Sequence, residues 1–450
     1  MNRREFLSGA LAAPALMARG APAGLPNILF ILADDLGYGD LGCYGQQRIR
    51  TPNLDGLAAS GARFTQAYAG ATVCAPSRCS LMTGKHGGHA TVRGNRRPEL
   101  GMRDEETTIP GLLKRAGYRT AIFGKWGLGG PATGSVPNRR GFDEFFGYLD
   151  QLHAHNYYPE HLWQDQHEFF LPANWFNRRQ QYSPDLITAR ALEFLERPRP
   201  EPFFMYLAYT LPHANNELGA LTGNGMEAPD EPAYSDQNWP EPEKGFARMV
   251  SRLDRYVGQV LESLKTRGLD RNTLVLFTSD NGPHREGGHN PDFFGSRGPL
   301  RGIKRDLYEG GIRVPLLARW PGRVRAGAVS HAVVAFWDFL PTFAAMAGAP
   351  APGGLDGISA LPALLGQPQK QRDCLYWEFH EGGFSQAVRV GDWKGVRPKM
   401  NAPVELYDLA NDVGERDNIA AGHPDVVERI AGLMRTARTD SPDFPVGALT

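Results

Sequence analysis

Short runs of apolar residues recur along the chain up to residue 282, and each run ends in polar or charged side chains. These runs and their final residues are 26–35 with Asp34 and Asp35, 118–127 with Lys125, 202–213 with His213, and 272–282 with Asp280 and Asn281. Apolar runs without polar alternation are typical of strands buried on both faces, as in parallel sheets covered by helices. The pattern therefore predicts buried strands whose carboxyl ends carry chemically active side chains.

Segments with helical spacing of apolar residues lie between these strands. They span 51–64, 107–117, 183–196 and about 243–268. The first begins with Thr-Pro and the third with Ser-Pro, which suit helix starts, and the second ends at Gly117, which suits a helix end. In the first segment, one apolar stripe is formed by Leu54, Leu57, Ala58 and Ala62. The alternation of strands and helices predicts an α/β fold with a large, mostly parallel sheet sandwiched by helices.

The pattern changes after the Pro- and Gly-rich segment 349–357. Short alternating runs follow at 374–383, 384–397 and 404–419, and an amphipathic helix at about 424–438. Alternation of apolar and polar residues is typical of antiparallel strands with one solvated face. We therefore expect a main domain over residues 24–365 and a C-terminal subdomain over 366–450, a small four-stranded antiparallel sheet with a packed helix.

The first residues have the pattern of an export signal. Arg3 and Arg4 precede Phe6 and Leu7, an apolar run follows, and Ala-Pro-Ala at 21–23 offers a cleavage site. The apolar run is too short for a membrane span, which argues against the alternative of a membrane anchor. We expect residues 1–23 to be a twin-arginine-type signal peptide and the protein to be exported, to the periplasm or the extracellular space.

Composition excludes some classes of function. The formal net charge is zero and charged residues make up 22% of the chain, so the basic excess of a nucleic-acid-binding protein is missing. The cysteines at 43, 74, 79 and 374 could form two disulfides in an exported protein, but their spacing does not define a pairing.

The polar residues at the strand ends suggest a metal site. Because the carboxyl ends of strands in an open α/β sheet border one crevice, these side chains are expected to converge. Either pair alone would more often be a solvated turn. Together, the oxygens of Asp34, Asp35, Asp280 and Asn281 suit Ca²⁺, with Mg²⁺ as the alternative, better than zinc.

Cations and a histidine accompany these acids. Arg78, Lys125 and Lys304 are candidates for an anion clamp, although single lysines and arginines are usually surface residues. His213 is a candidate general acid at a strand end, against the plainer interpretation of a loop histidine. His284 and His289 are weaker candidates of the same type.

Cys74 precedes Pro76 and Ser77 and is placed by the pattern near a helix N-terminus, which favours negative charge. From the chemistry of cysteine alone, Cys74 could be either a buried structural cysteine or a thiolate nucleophile. A thiolate is a poor companion for a hard cation, which prefers oxygen ligands.

The segment 74–84 resembles the signature C-x-P-S-R-x-x-L-x-T-G of type I sulfatases, in the alkaline phosphatase superfamily. The resemblance extends over nearly all of the chain after residue 23. It implies an alkaline phosphatase-like fold, with a large mixed sheet and residues 24–365 as the catalytic domain. It also implies that a formylglycine-generating maturation enzyme oxidises Cys74 to Cα-formylglycine, whose hydrate offers an oxygen nucleophile and metal ligand.

The resemblance assigns roles residue by residue. Those that would coordinate Ca²⁺ are Asp34, Asp35, residue 74, Asp280 and Asn281, and those that would surround the sulfate are Arg78, Lys125, His213 and Lys304. In the implied mechanism, one hydroxyl of the hydrate attacks sulfur while His213, with Lys304, protonates the leaving alcohol. The sulfated hemiacetal then loses its second proton and expels sulfate, and water restores the hydrate.

One position departs from the family pattern. Relatives often have histidine in G-K-W-H-L-G, assigned to collapse of the hemiacetal, and this chain has Gly127 there. Gln151 falls where some relatives place a serine on the sulfate. The segment 148–163 resembles substrate-facing loops of bacterial sulfatases that act on sulfated sugars, and the resemblance implies a galactose-type sugar. His153, His155 and His284 are then candidates for binding the substrate.

Two other functions remain open at this point. One is a phosphonate monoester or phosphodiester hydrolase of the same superfamily, although such relatives tend to vary the Pro-Ser-Arg core that this chain keeps. The other is an exported, non-catalytic sugar-binding protein in which Cys74 is never converted.

Overall fold

A computed structural model describes residues 24–96, 99–229 and 231–447. The expected signal peptide at 1–23 lies outside these residues. No helix within the described ranges combines the length and apolar character needed to cross a bilayer.

The strands form two sheets. Those of the large sheet are β1 (Asn27–Ala33), β2 (Ala62–Tyr68), β3 (Arg119–Lys125), β4 (Glu144–Tyr148), β5 (His161–Gln164), β6 (His167–Phe170), β7 (Phe203–Ala208), β8 (Thr273–Ser279), β9 (Arg313–Arg319) and β10 (Ala328–Ala335). Those of the small sheet are β11 (Leu375–Phe379), β12 (Ser385–Val390), β13 (Trp393–Arg397) and β14 (Glu405–Asp408).

The large sheet is mixed and mostly parallel. Its strand order is β10-β2-β9-β8-β1-β7-β3-β4-β5-β6, and the central strands β8, β1, β7, β3 and β4 are all parallel to their neighbours in that group. Antiparallel pairs occur toward both edges, between β9 and its neighbours and between β4, β5 and β6. This confirms the predicted fold class.

The helices are α1 (Pro52–Ser60), α2 (Cys74–Thr83), α3 (Ile109–Arg115), α4 (Ser183–Glu196), α5 (Asn216–Thr222), α6 (Glu241–Thr266), α7 (Pro291–Phe294), α8 (Glu309–Ile312), α9 (Phe339–Met346), α10 (Leu361–Leu364) and α11 (Pro424–Thr436). They enclose an apolar core on each face of the large sheet. Ile28 and Phe30 of β1 belong to one core, and Leu29 and Ile31 to the other. Two-sided burial explains why β1 has no polar alternation.

The small sheet, in the order β11-β12-β13-β14, is antiparallel throughout, as predicted. Helix α11 covers one face, where Ile430 and Met434 pack with Val388. Trp377 lies on the other face, in a core shared with Tyr68 of β2. The small sheet is therefore packed on the large one through apolar side chains.

One sequence-based expectation needs correction. The helix expected over 51–64 ends at Ser60, and Ala62 begins β2, because this segment pairs with Ala318 of β9 and Ala328 of β10. The helical spacing of apolar residues within 51–64 carries no information about pairing with strands far along the chain. The possibility of disulfides, which the sequence left open, is not realised, because all four cysteines are free thiols.

Candidate active site

The acids, lysine and histidine predicted at strand ends lie together at one edge of the large sheet. Asp34 and Asp35 directly follow β1, Lys125 ends β3, His213 follows β7, and Asp280 directly follows β8. These four strands are neighbours and parallel, so their carboxyl ends border the same space.

Asp34 lies beside two cationic side chains, Lys125 and Arg78. Its carboxylate accepts a hydrogen bond from Lys125 Nζ at 2.7 Å, and Arg78 Nη2 lies 3.4 Å away. The thiol of Cys74 donates to Asp34 Oδ1 at 3.4 Å. Although burial opposes ionisation, the charges of Lys125 and Arg78 hold the pKa of Asp34 well below its usual value.

Asp35 reaches the same cluster from the next position. Its φ of 64° departs from the strand conformation and lies in the left-handed region, which only a few non-glycine residues adopt. Its carboxylate accepts hydrogen bonds from Asn281 Nδ2 at 2.7 Å and from Lys304 Nζ at 2.8 Å. Its main-chain N–H donates to Asp280 Oδ1 at 3.1 Å. Adjacent aspartates thus face one site.

The donor set fits a hard cation. Asp34, Asp35, Asp280 and Asn281 are fully buried, and Asn281 Oδ1 has no hydrogen-bond partner among the described residues. An unpartnered, buried carbonyl oxygen beside three carboxylates is suited to a metal ion. Burial and the negative charge of Asp34 also raise the pKa of Asp280 to about 7, which reflects the repulsion that a bound cation would offset.

Cys74 is the first residue of α2, and Ser77 fixes the start of this helix against β8. The Ser77 hydroxyl donates to the Asp280 carbonyl oxygen at 2.5 Å and accepts from the Gly70 N–H at 3.1 Å. Arg78, one residue further, donates to Asp280 Oδ2 through Nε at 3.0 Å and Nη2 at 2.8 Å. Ser77 and Arg78 thereby join the start of α2 to Asp280 at the end of β8.

The unmodified thiol of Cys74 is not activated here. Burial and the nearby charge of Asp34 raise its pKa well above the usual value for cysteine, so the group stays protonated.

His213 and Lys304 form a hydrogen-bonded pair. His213 Nδ1 lies 2.6 Å from the Ala214 carbonyl oxygen and therefore carries its proton, which leaves Nε2 to accept from Lys304 Nζ at 3.1 Å. Glu286 Oε2 accepts a second hydrogen bond from Lys304, also at 3.1 Å. Burial and the charge of Lys304 lower the pKa of His213 to about 3, so its ring is neutral. Lys304 can therefore give a proton to His213 Nε2, the ring nitrogen that carries none.

A cavity of about 470 Å³ opens over these groups, and Cys74, His213 and Lys304 line it. A larger cavity of about 660 Å³ is lined by Asn27, Arg199 and Arg267 and contains none of the clustered acids. The smaller cavity is therefore the candidate active site.

The four predicted substrate-binding residues are placed differently from one another. Gln151 and His155 line the cavity. His153 is not among the described lining residues, and its ring lies against those of Tyr148, at 5.0 Å, and His161, at 4.5 Å. His284 is also off the lining and fully buried, with Nε2 at 3.2 Å from the Pro212 carbonyl oxygen and Nδ1 accepting from the Glu286 N–H.

Gln151 occupies the space beside Gly127. Its Nε2 donates to the Gly127 carbonyl oxygen at 3.0 Å, and a Cβ added at position 127 would lie 2.3 Å from that nitrogen. Gly127 also has φ of 68°, which disfavours other residues. The glycine and the glutamine thus fit one another in place of a histidine at 127.

Sequence reasoning missed some polar residues near the cavity. Glu286 supports Lys304, and Asn216 and Glu217 line the cavity wall. Ser77 was visible within the 74–84 motif, but its bond to a distant carbonyl was not. Asn216 and Glu217 lie just after His213 in the chain, and only this proximity could have drawn attention to them.

The chain is similar in sequence and structure to known proteins. Residues 26–349 match the family model described as Sulfatase, and 303–438 match one described as N-sulphoglucosamine sulphohydrolase, C-terminal. Human arylsulfatase A is 35% identical, covering 93% of this chain and 89% of that protein. Dog N-acetylgalactosamine-6-sulfatase is 34% identical, covering 85% and 74%. The crystal structure of Ps i-CgsB in complex with k-i-k-neocarrahexaose is 32% identical, with a TM-score of 0.80 and 92% of both chains covered.

Proposed function

Because this chain belongs to the sulfatase family and is a sulfate ester hydrolase, we propose that its substrate is a sulfated carbohydrate and that residue 74 acts as formylglycine. The observation that carries the proposal is the position of Cys74 at the start of α2. Its thiol lies 3.4 Å from Asp34, in the cluster where Lys125 pairs with Asp34 and Lys304 pairs with Asp35. A nucleophile there would face the cavity that His213 and Lys304 also line.

A carbohydrate substrate is supported by similar proteins. One similar structure contains k-i-k-neocarrahexaose, and one relative is named for N-acetylgalactosamine 6-sulfate. The cavity walls carry carboxylates and imidazoles, including Asp150, Glu217 and His155. Such groups are suited to the hydroxyls of a sugar. A galactose-type unit is our more specific proposal.

Formylglycine at residue 74, formed from Cys74 by a maturation enzyme, would supply a hydrate oxygen as nucleophile. We assign Lys125 and Lys304 to hold oxygens of the sulfate and to stabilise charge in the transition state. Arg78 is bound to Asp280 on one side and to the Lys125 carbonyl oxygen at 2.8 Å on the other. We therefore assign Arg78 to orienting this cluster and placing residue 74.

A metal ion, which we propose to be Ca²⁺, would be held by Asp34, Asp35, residue 74, Asp280 and Asn281 and would supply positive charge to the sulfate oxygens and nucleophile. His213 is assigned as the group that protonates the leaving alcohol. Its Nε2 carries no proton at rest, so it would first take one from Lys304 across the contact at 3.1 Å and then pass it to the departing oxygen. Residue 127 is glycine and offers no imidazole, so we propose that water would accept the proton whose loss accompanies release of the sulfate.

We also propose that residues 1–23 direct export through a twin-arginine route, that 24–365 form the catalytic domain, and that 366–450 form a C-terminal subdomain. The matches to two family models, over 26–349 and 303–438, support a catalytic region followed by a distinct C-terminal one.

The nucleophile can be tested with two cysteines on the same helix. Cys74→Ala removes the proposed nucleophile, whereas Cys79→Ala changes a buried cysteine of the apolar core. With protein from the native host, we expect peptide mass spectrometry to show an aldehyde at residue 74. We expect Cys74→Ala to abolish aryl sulfate hydrolysis while Cys79→Ala retains it.

An unmodified thiol at 74 in active protein, or hydrolysis by Cys74→Ala at the wild-type rate, would contradict the proposal. Circular dichroism of both variants separates a lost nucleophile from a lost fold. An aryl phosphodiester assayed in parallel measures the preference for sulfate, and a clear preference for the phosphodiester would contradict the substrate assignment.

A further inference from the structure

A group of hydrogen-bond acceptors lies on the cavity wall next to His213. The ring of His155 stacks on that of His213, with 4.7 Å between ring centroids and 15° between ring planes. Because His213 is the proposed donor to the leaving alcohol, the stack places His155 on the side of the cavity that receives the sugar.

The ring of His155 presents an acceptor there. Its Nδ1 lies 3.1 Å and 3.3 Å from the two carboxylate oxygens of Glu217. A carboxylate can only accept, so Nδ1 carries the proton, and the neutral ring keeps a lone pair on Nε2. Burial and the charge of Lys125 lower the pKa of His155, which is consistent with a neutral ring.

Two neighbouring side chains add further acceptors. Asn216 and Glu217 begin α5, shortly after His213, and both line the cavity. Asn216 Oδ1 is buried and has no hydrogen-bond partner among the described residues. Glu217 is 55% exposed, so a carboxylate oxygen remains accessible to a substrate. A buried oxygen without a partner at a cavity wall points to a ligand that donates hydrogen bonds.

The cations at the cavity rim already have partners. Arg305 Nη1 is paired with Glu286 Oε1 at 2.5 Å, and Arg96 Nη1 lies 3.4 Å from Asp443 Oδ1. Asp150 and Glu381 also line the cavity. Outside the sulfate cluster, the described lining therefore favours donors over additional anions.

We propose that His155, Asn216 and Glu217 recognise free hydroxyls of the sugar that carries the sulfate, and so select monosulfated, otherwise neutral sugars over sugars with a second anionic group beside the scissile ester. This inference rests on the proposed carbohydrate substrate. A hydroxyl donates to these acceptors, whereas a neighbouring sulfate or carboxylate leaves them unpaired and is repelled by Glu217.

The test compares Glu217→Gln and Asn216→Leu with wild type and with Glu262→Gln, a control on the exposed face of α6. The probes are an aryl sulfate, the monosulfates of D-galactose and D-glucose, and the disulfates in which a neighbouring oxygen is also sulfated. The measured quantity is kcat/KM for release of sulfate from each probe.

We expect wild type to prefer its best monosulfate over the matching disulfate by about 10-fold or more. In Asn216→Leu, the ratio of sugar to aryl sulfate kcat/KM should fall about 10-fold, because one acceptor is lost. In Glu217→Gln, the preference for monosulfate over disulfate should shrink by a similar factor. Glu262→Gln should behave as wild type with every probe.

Equal kcat/KM for monosulfate and disulfate in wild type would overturn the inference and leave the carbohydrate proposal standing. Unchanged ratios in both cavity variants would overturn it as well. Hydrolysis of the aryl sulfate without hydrolysis of any sugar sulfate would overturn the carbohydrate proposal, and the inference with it. Aryl sulfate turnover by each variant reports that its active site is folded.

Discussion

At the scale of single residues, the conformation of Asp35 decides how two adjacent acids serve one site. Successive side chains of a strand point to opposite faces, which would separate the carboxylates of Asp34 and Asp35. The φ of 64° at Asp35 ends that alternation directly after β1, and Asp35 turns toward Asn281 and Lys304. The Asp-Asp pair was visible in the sequence and its convergence was expected, but the backbone angle that produces it was not.

The unpartnered oxygen of Asn281 leads to a prediction about metal binding. If Ca²⁺ binds there, adding it to chelator-treated protein should raise the unfolding temperature by a few degrees, because a ligand at about 100 times its Kd stabilises the fold by about 2.7 kcal/mol. Asn281→Ala should reduce this shift, since Oδ1 is lost. Differential scanning calorimetry across a calcium titration measures the change in unfolding temperature for wild type and variant.

Asn272→Ala is the matched control, since Asn272 is exposed and directly precedes β8 at its opposite end. It should keep the full calcium-dependent shift. The same shift in Asn281→Ala as in wild type would remove Asn281 from the metal site, and no shift in any variant would argue against the proposed Ca²⁺.

At the scale of elements, the apolar runs predicted the central strands well and the outer ones poorly. β1, β3, β7 and β8 are buried on both faces and carry a strong local signal. β2 is only partly buried and contains Arg63, Thr65 and Gln66, so its pattern resembles no simple strand. Its pairing with β9 and β10 joins residues far apart in the chain, which no local periodicity expresses.

The contact between α2 and β8 gives a prediction at this scale. Ser77→Ala removes the hydrogen bonds to the Asp280 carbonyl oxygen and from the Gly70 N–H. These bonds hold the start of α2 against the proposed metal ligands. Their loss should raise the activation free energy by about 1–2 kcal/mol, so kcat for aryl sulfate should fall roughly 10-fold. Steady-state kinetics with fully converted protein measures this effect.

Ser80→Ala is the control on the same helix. Ser80 is also fully buried, but its hydroxyl has no hydrogen-bond partner among the described residues. Its replacement should leave kcat close to the wild-type value. If both variants lose activity equally, the effect belongs to packing of α2 and not to the link between Ser77 and Asp280.

At the scale of the whole molecule, the C-terminal sheet helps to hold the loop that borders the active cavity. Glu378 of β11 binds Arg93 Nη1 at 2.9 Å, and Arg93 also donates to the Thr439 carbonyl oxygen at 2.8 Å. Asn95 and Arg96, just after Arg93, line the cavity, as does Glu381 from the turn after β11. The sequence indicated a separate C-terminal unit, yet it gave no sign that this unit reaches the cavity.

The contact between Glu378 of the C-terminal sheet and Arg93 of the cavity loop is expected to depend on pH. Burial opposes its ionisation, but a hydrogen bond with His380 and the charge of Arg93 lower its pKa to about 2. A folded-state pKa below the unfolded value of about 4.5 contributes stability that is complete above pH 4.5 and is lost as the pH falls toward 2. This lowering of the pKa of Glu378 corresponds to a contribution of about 3 kcal/mol to the free energy of unfolding at neutral pH.

Glu378→Gln should therefore lower the free energy of unfolding at about pH 7 by an amount of this order, and the gap to wild type should shrink to less than half near pH 3. Urea denaturation at several pH values measures this difference in the free energy of unfolding between variant and wild type. Glu428→Gln, at an exposed position of α11, is the control and should unfold with the wild-type free energy at each pH. A gap that stays constant with pH would mean that Glu378 acts through packing alone. A gap that narrows would identify its ionised carboxylate as a link between the C-terminal sheet and the loop at the active cavity.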